Sequence, residues 1–599
     1  MDMSITEIDS NYLIPAEKIE QHFRVSAGPG AGKTYWLVNH IKNVLCQSKR
    51  LDKTRKIVCI TYTNVAVETI LERLGTSIGR VEVSTIHSFL YNHIIKPYIK
   101  FIADEYKLNV VEIDGHDDHI VSMKNVVTWI ENHQNSDKLK HPYTVNQLTR
   151  LDQNKVALRN WINSLKYRLA PDETLEIVSK RNEAYCTEEK NGKLTRRILG
   201  KSCLDILETD LIAYKYLYWQ EGILHHDDVL FFSYQLIQKY PFILKVIRAK
   251  FPYFFVDEFQ DTNPIQTKIV EQIGKEETTV GIIGDKAQSI YSFQGAVPSQ
   301  FSSFSLPDIA EYGLLENRRS TNQIVDFLNS IRSDITQKKP ANNLEGDKPM
   351  MIVGQTDLAL KKVQEICKDE EICSLSRDNF TANAIRRKLN PNISNEDLIQ
   401  KLYDIDSNSV RRRLITTYIK VTELSQQNLF KDAIKELEKL NKTSSDKLEC
   451  KNEALKYLKI LTQNYDDFKD KSLFDFYLFV QNKIYPKITK LARGGIKEFY
   501  ENYKYQQLAL CVKISNDQSL NRTIHKAKGA EFKNVILILK NVSDLEFLLK
   551  PNLDKEEHGV NYVAVSRARE KLFILVPDIS KLNTIENQKL HNLLNIIQL

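Results

Sequence analysis

Two short stretches carry residues whose types and spacing define a chemistry. The first runs from Arg24 to Thr34 and reads as an apolar strand, a glycine-rich turn and a helix starting near Lys33. From Ala27 it follows the pattern A-x-x-x-x-G-K-T, through Gly28, Pro29, Gly30, Ala31 and Gly32 to Lys33 and Thr34. Closely spaced glycines let the backbone turn tightly and aim its N–H groups at an anion. The helix that follows adds its partial positive charge. Lys33 suits the β- and γ-phosphates of a nucleotide, and the Thr34 hydroxyl suits Mg²⁺. The second stretch is Phe254 to Asp261, a hydrophobic strand ending in Asp257-Glu258. Asp257 suits Mg²⁺ held through water, and Glu258 suits the orientation or deprotonation of an attacking water. Together they predict a hydrolysed nucleoside triphosphate, with ATP and Mg²⁺ expected.

Three further strand ends repeat one grammar, apolar residues running into a polar turn. Ile57–Ile60 leads to Thr61-Tyr62-Thr63-Asn64, and Val81–Val83 leads to Thr85-Ile86-His87-Ser88. Thr279–Gly284 leads to Asp285 and then Lys286–Ala296, which holds Gln288, Tyr291 and Phe293. Hydroxyl and amide groups opening a helix suit phosphate-backbone contacts. Aromatic faces suit stacking on bases. A glutamine at a strand's carboxyl end is placed to sense a γ-phosphate.

The remaining sequence sets bounds. At 599 residues it implies about four domains on a prior of ~150 residues each. Its 84 basic and 77 acidic residues leave +7, a mild excess that permits a nucleic-acid partner without establishing one. The start, Met1–Gln21, has no apolar core of a signal peptide, and no run reaches the ~18–20 apolar residues of a membrane span. A cytoplasmic location without membrane attachment is therefore expected. The eight cysteines include no C-x-x-C pair, which argues against zinc or iron–sulfur sites and for free thiols. Segments such as Val126–His133 and Leu204–Tyr218 have helical spacing, while basic patches at Lys180-Arg181 and Lys190–Arg197 read as solvated faces.

In this order, the motifs resemble the UvrD/Rep/PcrA-type DNA helicases of superfamily 1. Ala27–Thr34, Thr61–Asn64, Thr85–Ser88, Asp257–Asp261 and Gly284–Ala296 are followed by Glu316-Asn317-Arg318-Arg319-Ser320-Thr321. Then come Thr523-Ile524-His525-Lys526-Ala527-Lys528-Gly529-Ala530-Glu531-Phe532 and Tyr562–Ala568. The resemblance implies an α/β fold of two RecA-like parallel-sheet P-loop domains, each with an inserted, mainly helical subdomain. The first core would be residues 1–94 and 215–300, with 95–214 inserted. The second would be 301–392 and 506–599, with a reduced insertion at 393–505. Glu371–Leu389, Val535–Leu539 and Leu572–Leu575 fit the second sheet.

The resemblance also assigns roles. Glu258 would be the catalytic base, Gln288 the γ-phosphate contact, and Arg319 and Arg567 the arginines that neutralise transition-state charge when the cleft closes. Glu531 would lie near the ribose. Thr61, Tyr62, Asn64, His87, Tyr291, Phe293 and His525 would contact DNA. The partners implied are single-stranded DNA and single-strand/duplex junctions.

Several positions depart from the family pattern. No glutamine motif is legible upstream of the P-loop: Gln21 is too near Lys33, and Pro15 stands about where the Gln belongs. Arg318 replaces a usual Tyr, and Gln294 a common Arg. The Tyr-Gly-Gly-x-x-Phe-Phe signature is absent after Leu389, where Asn390-Pro391-Asn392 and charged helices such as Asp432–Asn441 stand instead. The chain ends soon after its last motif, so no fused nuclease is expected. The expectation is an ATP-dependent 3′–5′ DNA translocase and helicase in repair or replication restart. The alternatives are the helicase subunit of an anti-phage system of the Gabija type, paired with a nuclease, an ATP- or DNA-sensing signalling protein, and an RNA motor.

Overall fold

The computed structural model describes residues 5–117, 119, 121–139, 148–149, 151–190, 193–368, 370–387, 398–406, 408–440, 447–491, 494–512 and 519–599. The expected boundary at 392/393, the Asn390–Asn392 segment and part of the Lys190–Arg197 patch lie outside them. Two compact units divide the chain. The first comprises the chain up to Arg319 with Arg332–Asn343 and Leu553–Gly559, and the second comprises Ser320–Ile331, Leu344–Asn552 and Val560–Leu599.

The first unit is built on strands β1 (Thr6–Ile8), β2 (Phe23–Ala27), β3 (Ile57–Thr61) and β4 (Val81–Thr85). Two hairpins follow, β5 (Lys166–Leu169) with β6 (Leu175–Val178) and β7 (Tyr185–Lys190) with β8 (Lys193–Ile198). Then come β9 (Tyr253–Val256), β10 (Thr279–Gly284) and β11 (Ala310–Leu314). The main sheet runs β1-β11-β2-β10-β9-β3-β4, and every pairing in it is parallel. Such a sheet is covered on both faces, so its strands read as continuous apolar runs. Strand β3 shows the consequence: Val58 and Ile60 enter one core layer, and Ile57 and Cys59 the other. All strands point one way, so the turns after β2, β3, β4, β9, β10 and β11 gather at one edge. That edge is where ligands bind in open α/β sheets.

The expected change of core at residue 301 is corrected. Strand β11 pairs with β1 and β2 in the first sheet, and the chain stays in the first unit to Arg319. Arg24 on β2 fixes this return. Its Nε donates to Glu311 at 2.8 Å, and one terminal nitrogen donates to the Phe301 and Ser302 carbonyls. The 95–214 insertion packs helices Met123–Glu131, Asp152–Asn163, Lys201–Leu207 and Leu211–Trp219 around Trp129, Trp161 and Tyr214. Both hairpins also lie in it, although the expectation there was helical. The Ala170–Thr174 turn, with Glu173 at φ 65° and the Thr174 N–H on Asp172, joins β5 to β6.

The second unit carries β12 (Met350–Val353), β13 (Ile372–Ser376), β14 (Asn521–Thr523), β15 (Phe532–Ile538), β16 (Ala568–Val576) and β17 (Asn595–Gln598). They form a second all-parallel sheet in the order β14-β13-β15-β16-β12-β17. Helices within 398–512 form their own core around Tyr418, Phe476, Tyr500 and Tyr505. Among the described residues no disulfide is formed, and no helix is long and apolar enough to cross a membrane.

Helix α1 (Lys33–Gln47) turns Trp36, Leu37, His40, Ile41 and Val44 inward, and His40 is the exception among them. Its ring stacks on Trp36 at 5.1 Å between Phe23 and Phe255, and among the described residues neither ring nitrogen has a hydrogen-bond partner. Burial lowers its pKa to about 3, so it is neutral in the fold. The unfolded chain takes up that proton near pH 6.5, and stability is therefore lost as pH falls from about 6.5 towards 3. His40→Leu is expected to hold or raise stability at pH 7 by up to ~2 kcal/mol, by removing an unpaired polar group. It should also flatten the loss between pH 6 and 4, checked by denaturant melts across that range.

Candidate active site

At the carboxyl end of β2 the chain makes a compact loop before α1. Gly30 and Gly32 sit at φ 71° and 80°, in the left-handed region. Gly30 is restricted twice, because a Cβ there would lie 2.7 Å from the Arg319 Cβ and closer still to the Asn317 amide oxygen. The loop backbone is also tied inward, Trp36 N–H to Gly32 O at 2.8 Å and Arg318 N–H to Gly30 O at 3.0 Å. Lys33 and Thr34 are the first two residues of α1.

The carboxylates follow β9. Lys33 Nζ lies 3.9 Å from Glu258 Oε1. Glu258 adopts φ 54°, a left-handed conformation that costs a non-glycine residue of order 1–2 kcal/mol. It is held there by its own N–H on Asp257 Oδ1 at 2.9 Å and by Gln260 Nε2 on its Oε2 at 2.5 Å. Buried Gln260 also accepts the Asp285 N–H through Oε1 at 3.0 Å. One amide thus ties the turn after β9 to the turn after β10. Asp285 accepts from Gln288 Nε2 at 2.6 Å and pairs with Arg332 at 2.9 Å, both side chains of that ion pair being fully buried. Burial disfavours the Asp285 charge, but Arg332, Lys33 and the Gln288 bond outweigh it and hold the carboxyl below the usual range.

The loop, Lys33, Thr34, Asp257, Glu258, Gln288 and Arg319 therefore all belong to one edge of one sheet. At Gly30 the Asn317 and Arg319 side chains and a positive φ leave no room for a Cβ, which fits the tight glycine turn of a phosphate-binding loop. The Thr34 hydroxyl and Asp257 are hard oxygen donors, which fit Mg²⁺. Gln260, Asp285 and Arg332 were not legible as site residues, since their roles arise from contacts rather than from spacing.

A second group lies beside the first. Tyr62 stacks on Tyr291 with centroids 4.3 Å apart, and the Tyr62 hydroxyl donates to the Gln294 amide oxygen. Tyr291 is 7% exposed and Phe293 51% exposed, their centroids 5.9 Å apart. Tyr62 thus covers Tyr291, and Phe293 presents the more exposed ring. Gln294, where an Arg was expected, positions Tyr62. Thr61 is 1% exposed, and among the described residues its hydroxyl has no hydrogen-bond partner, so its side chain offers little surface to DNA. Asn64 is exposed at the start of helix α2 (Asn64–Leu74), capped by Thr63. His87 faces the rings of His226 at 5.6 Å and His116 at 6.2 Å. Burial and those two imidazoles lower its pKa to about 4, so the ring is neutral at pH 7.

In the second unit, Glu531 and Arg567 precede β15 and β16 at the amino edge of the sheet, where Phe532 pairs with Ala568. Arg567 is buried, its guanidinium donating to Val563 O at 3.0 Å and Ser566 Oγ at 2.9 Å. Exposed Glu531 lies 3.9 Å from Arg569. His525 follows β14 at the opposite edge, 3.3 Å from Arg377, a cation that sequence reading left without a role.

Comparison with known proteins identifies the family of the chain. The UvrD/REP helicase N-terminal domain family matches residues 10–307, and the UvrD-like helicase C-terminal domain family matches 392–577. The chain belongs to the UvrD-type helicases and is an ATP-hydrolysing DNA helicase. It is 24% identical to the Gabija protein GajB of Bacillus cereus, over 94% of this chain and 96% of that one. It is 24% identical to a probable DNA helicase II homolog of Mycoplasma genitalium, over 95% and 85%. It is 23% identical to the ATP-dependent DNA helicase Rep of Buchnera aphidicola, over 92% and 90%.

Gln260→Leu keeps the volume but removes both amide bonds that join Glu258 to Asp285. It is expected to lower kcat for ATP hydrolysis ~10–100-fold, as misplacement of a catalytic group does, with a much smaller change in nucleotide Kd. Steady-state rates alongside fluorescent-nucleotide titration check this.

Proposed function

We propose that this helicase is a 3′–5′ translocase on single-stranded DNA that acts at single-strand/duplex junctions, in repair or replication restart. The observation that carries the reading is the joint placement of the Lys33–Glu258 pair and the Tyr62–Tyr291–Phe293 aromatic group on turns of one sheet edge. Gln260, Asp285 and Gln288 join those turns, so a change at the nucleotide has a short mechanical route to the aromatics. Stacking tolerates any base and contributes ~1–3 kcal/mol per base, as a motor that reads no sequence needs.

In this reading the loop Ala27–Lys33 binds the triphosphate of ATP. Thr34 and Asp257 would hold Mg²⁺, whose chemistry when bound is to neutralise phosphate charge. Glu258 orients the attacking water and takes its proton, helped by a strained backbone that fixes the carboxylate's direction. Gln288 and Arg319 face the γ-phosphate. Arg567 and Glu531 keep their nucleotide roles on the resemblance alone. Asn64, His87 and His525 are proposed DNA contacts.

A second reading is favoured by the similarity to GajB, which extends over nearly the full length of both chains. In it the same motor is the helicase subunit of an anti-phage system and works with a nuclease partner. A nuclease gene beside this one, and phage protection that needs both genes, would select it. A signalling protein that senses ATP or DNA without processive motion would show hydrolysis without strand displacement.

The test is ATP hydrolysis with and without single-stranded DNA. Strong stimulation is expected, lost in Lys33→Ala and reduced ~10²–10⁴-fold in Glu258→Gln, the range for removing a general base. Unwinding of 3′-tailed but not 5′-tailed duplexes is expected. Hydrolysis indifferent to DNA would overturn the translocase reading.

A further inference from the structure

The segment Arg332–Asn343 belongs to the first unit, although its neighbours on both sides belong to the second. It is anchored at both ends of its first half. At one end is the buried Arg332–Asp285 pair. At the other, Lys338 N–H donates to Leu315 O and Asn317 N–H donates to Lys338 O, both at 2.9 Å. Between these anchors Gln337, 3% exposed, reaches the phosphate-binding loop. Its Nε2 donates to Pro29 O at 2.7 Å, and its Oε1 accepts from Asn317 Nδ2 at 3.2 Å. Its side chain lies directly on Gly28, where a Cβ would come within 2.7 Å of Gln337 Cδ and closer to Nε2.

We infer that Gln337 is a positioning residue for ATP binding: it clamps the Pro29–Gly30 peptide so that the loop is set before nucleotide arrives. The physical route is the planarity of the peptide bond. The carbonyl and N–H of a trans peptide point in opposite directions, so anchoring Pro29 O on Gln337 fixes where the Gly30 N–H points. Arg318 N–H on Gly30 O fixes the next peptide in the same way. A loop that binds an anion through oriented N–H groups loses affinity when those groups must first be ordered. Because Gln337 shares its segment with Arg332, one stretch of chain sets both the loop and the Asp285–Gln288 turn. The inference rests on reading Ala27–Thr34 as the triphosphate site.

The experiment uses the full chain with DNA-stimulated ATP hydrolysis and fluorescent-ATP titration. Gln337→Ala is expected to raise KM for ATP and nucleotide Kd ~3–10-fold, the scale of one lost hydrogen bond, with kcat within about twofold. Gln337→Glu keeps the shape but places a carboxylate against Pro29 O and near the phosphates, and should raise KM more. Gly28→Ala should be impaired alone, because its methyl meets Gln337, and adding Gln337→Ala should restore part of the loss. Thermal melts and nucleotide-free DNA binding close to wild type show that the variants fold. Unchanged KM in both Gln337 variants, a loss in kcat alone, or a Gly28→Ala/Gln337→Ala pair no better than Gly28→Ala overturns the inference. A wild-type chain with no saturable ATP dependence would instead overturn the nucleotide-site reading beneath it.

Discussion

Lys33 and Glu258 lie 3.9 Å apart at the rim of the first sheet, and much of the first unit serves to keep them there. The two opposite charges attract each other, and at this separation they form a loose ion pair. The fold sets that separation by holding each residue through its backbone. Lys33 is fixed at the first turn of α1, and Glu258 by a left-handed φ and the Gln260 amide. Both restraints depend on the strand order, because β2 and β9 flank β10 and deliver their turns to the same edge.

The buried charges nearby follow the same logic. Asp285 and Arg332 are both removed from water, where each alone would be costly and where even a pair offers little net stability. The pair determines geometry instead: it orients a carboxylate that receives Gln288, on a turn whose N–H is held by Gln260. The aromatic group is treated alike. The Gln294 bond to the Tyr62 hydroxyl fixes one ring on the next, leaving Phe293 as the exposed face.

What was legible in the sequence follows from how each feature is encoded. Strand ends such as Phe254–Glu258 and the glycine loop announce themselves, because apolar runs, glycines and paired carboxylates have local causes. The α/β architecture came with the resemblance that these motifs carry. Gln337 was silent, since it stands 308 positions from Pro29 and no local pattern distinguishes it from a surface glutamine. Arg332 and Gln260 were silent likewise. The first core was cut too early, at 301, because the tie that returns β11 to it is a contact between Arg24 and Glu311. The hairpins within 95–214 were missed because their short alternating runs lie among longer helical ones. The burial of Thr61 and Tyr291 was not legible either, since packing decides it.

The chain passes back and forth between its two units, and this has a consequence for its synthesis. The phosphate-binding loop emerges from the ribosome early, but Gln337 follows Lys33 by 304 residues. At ~5–20 residues per second that is a delay of ~15–60 s. The stretch Leu553–Gly559, which completes the first unit, comes later still. Until Thr279–Gly284 and Ala310–Leu314 emerge, strand β2 lacks β10 and β11 on either side, and the nascent sheet exposes apolar edges. The first unit therefore receives its last stretch only after most of the second has been translated.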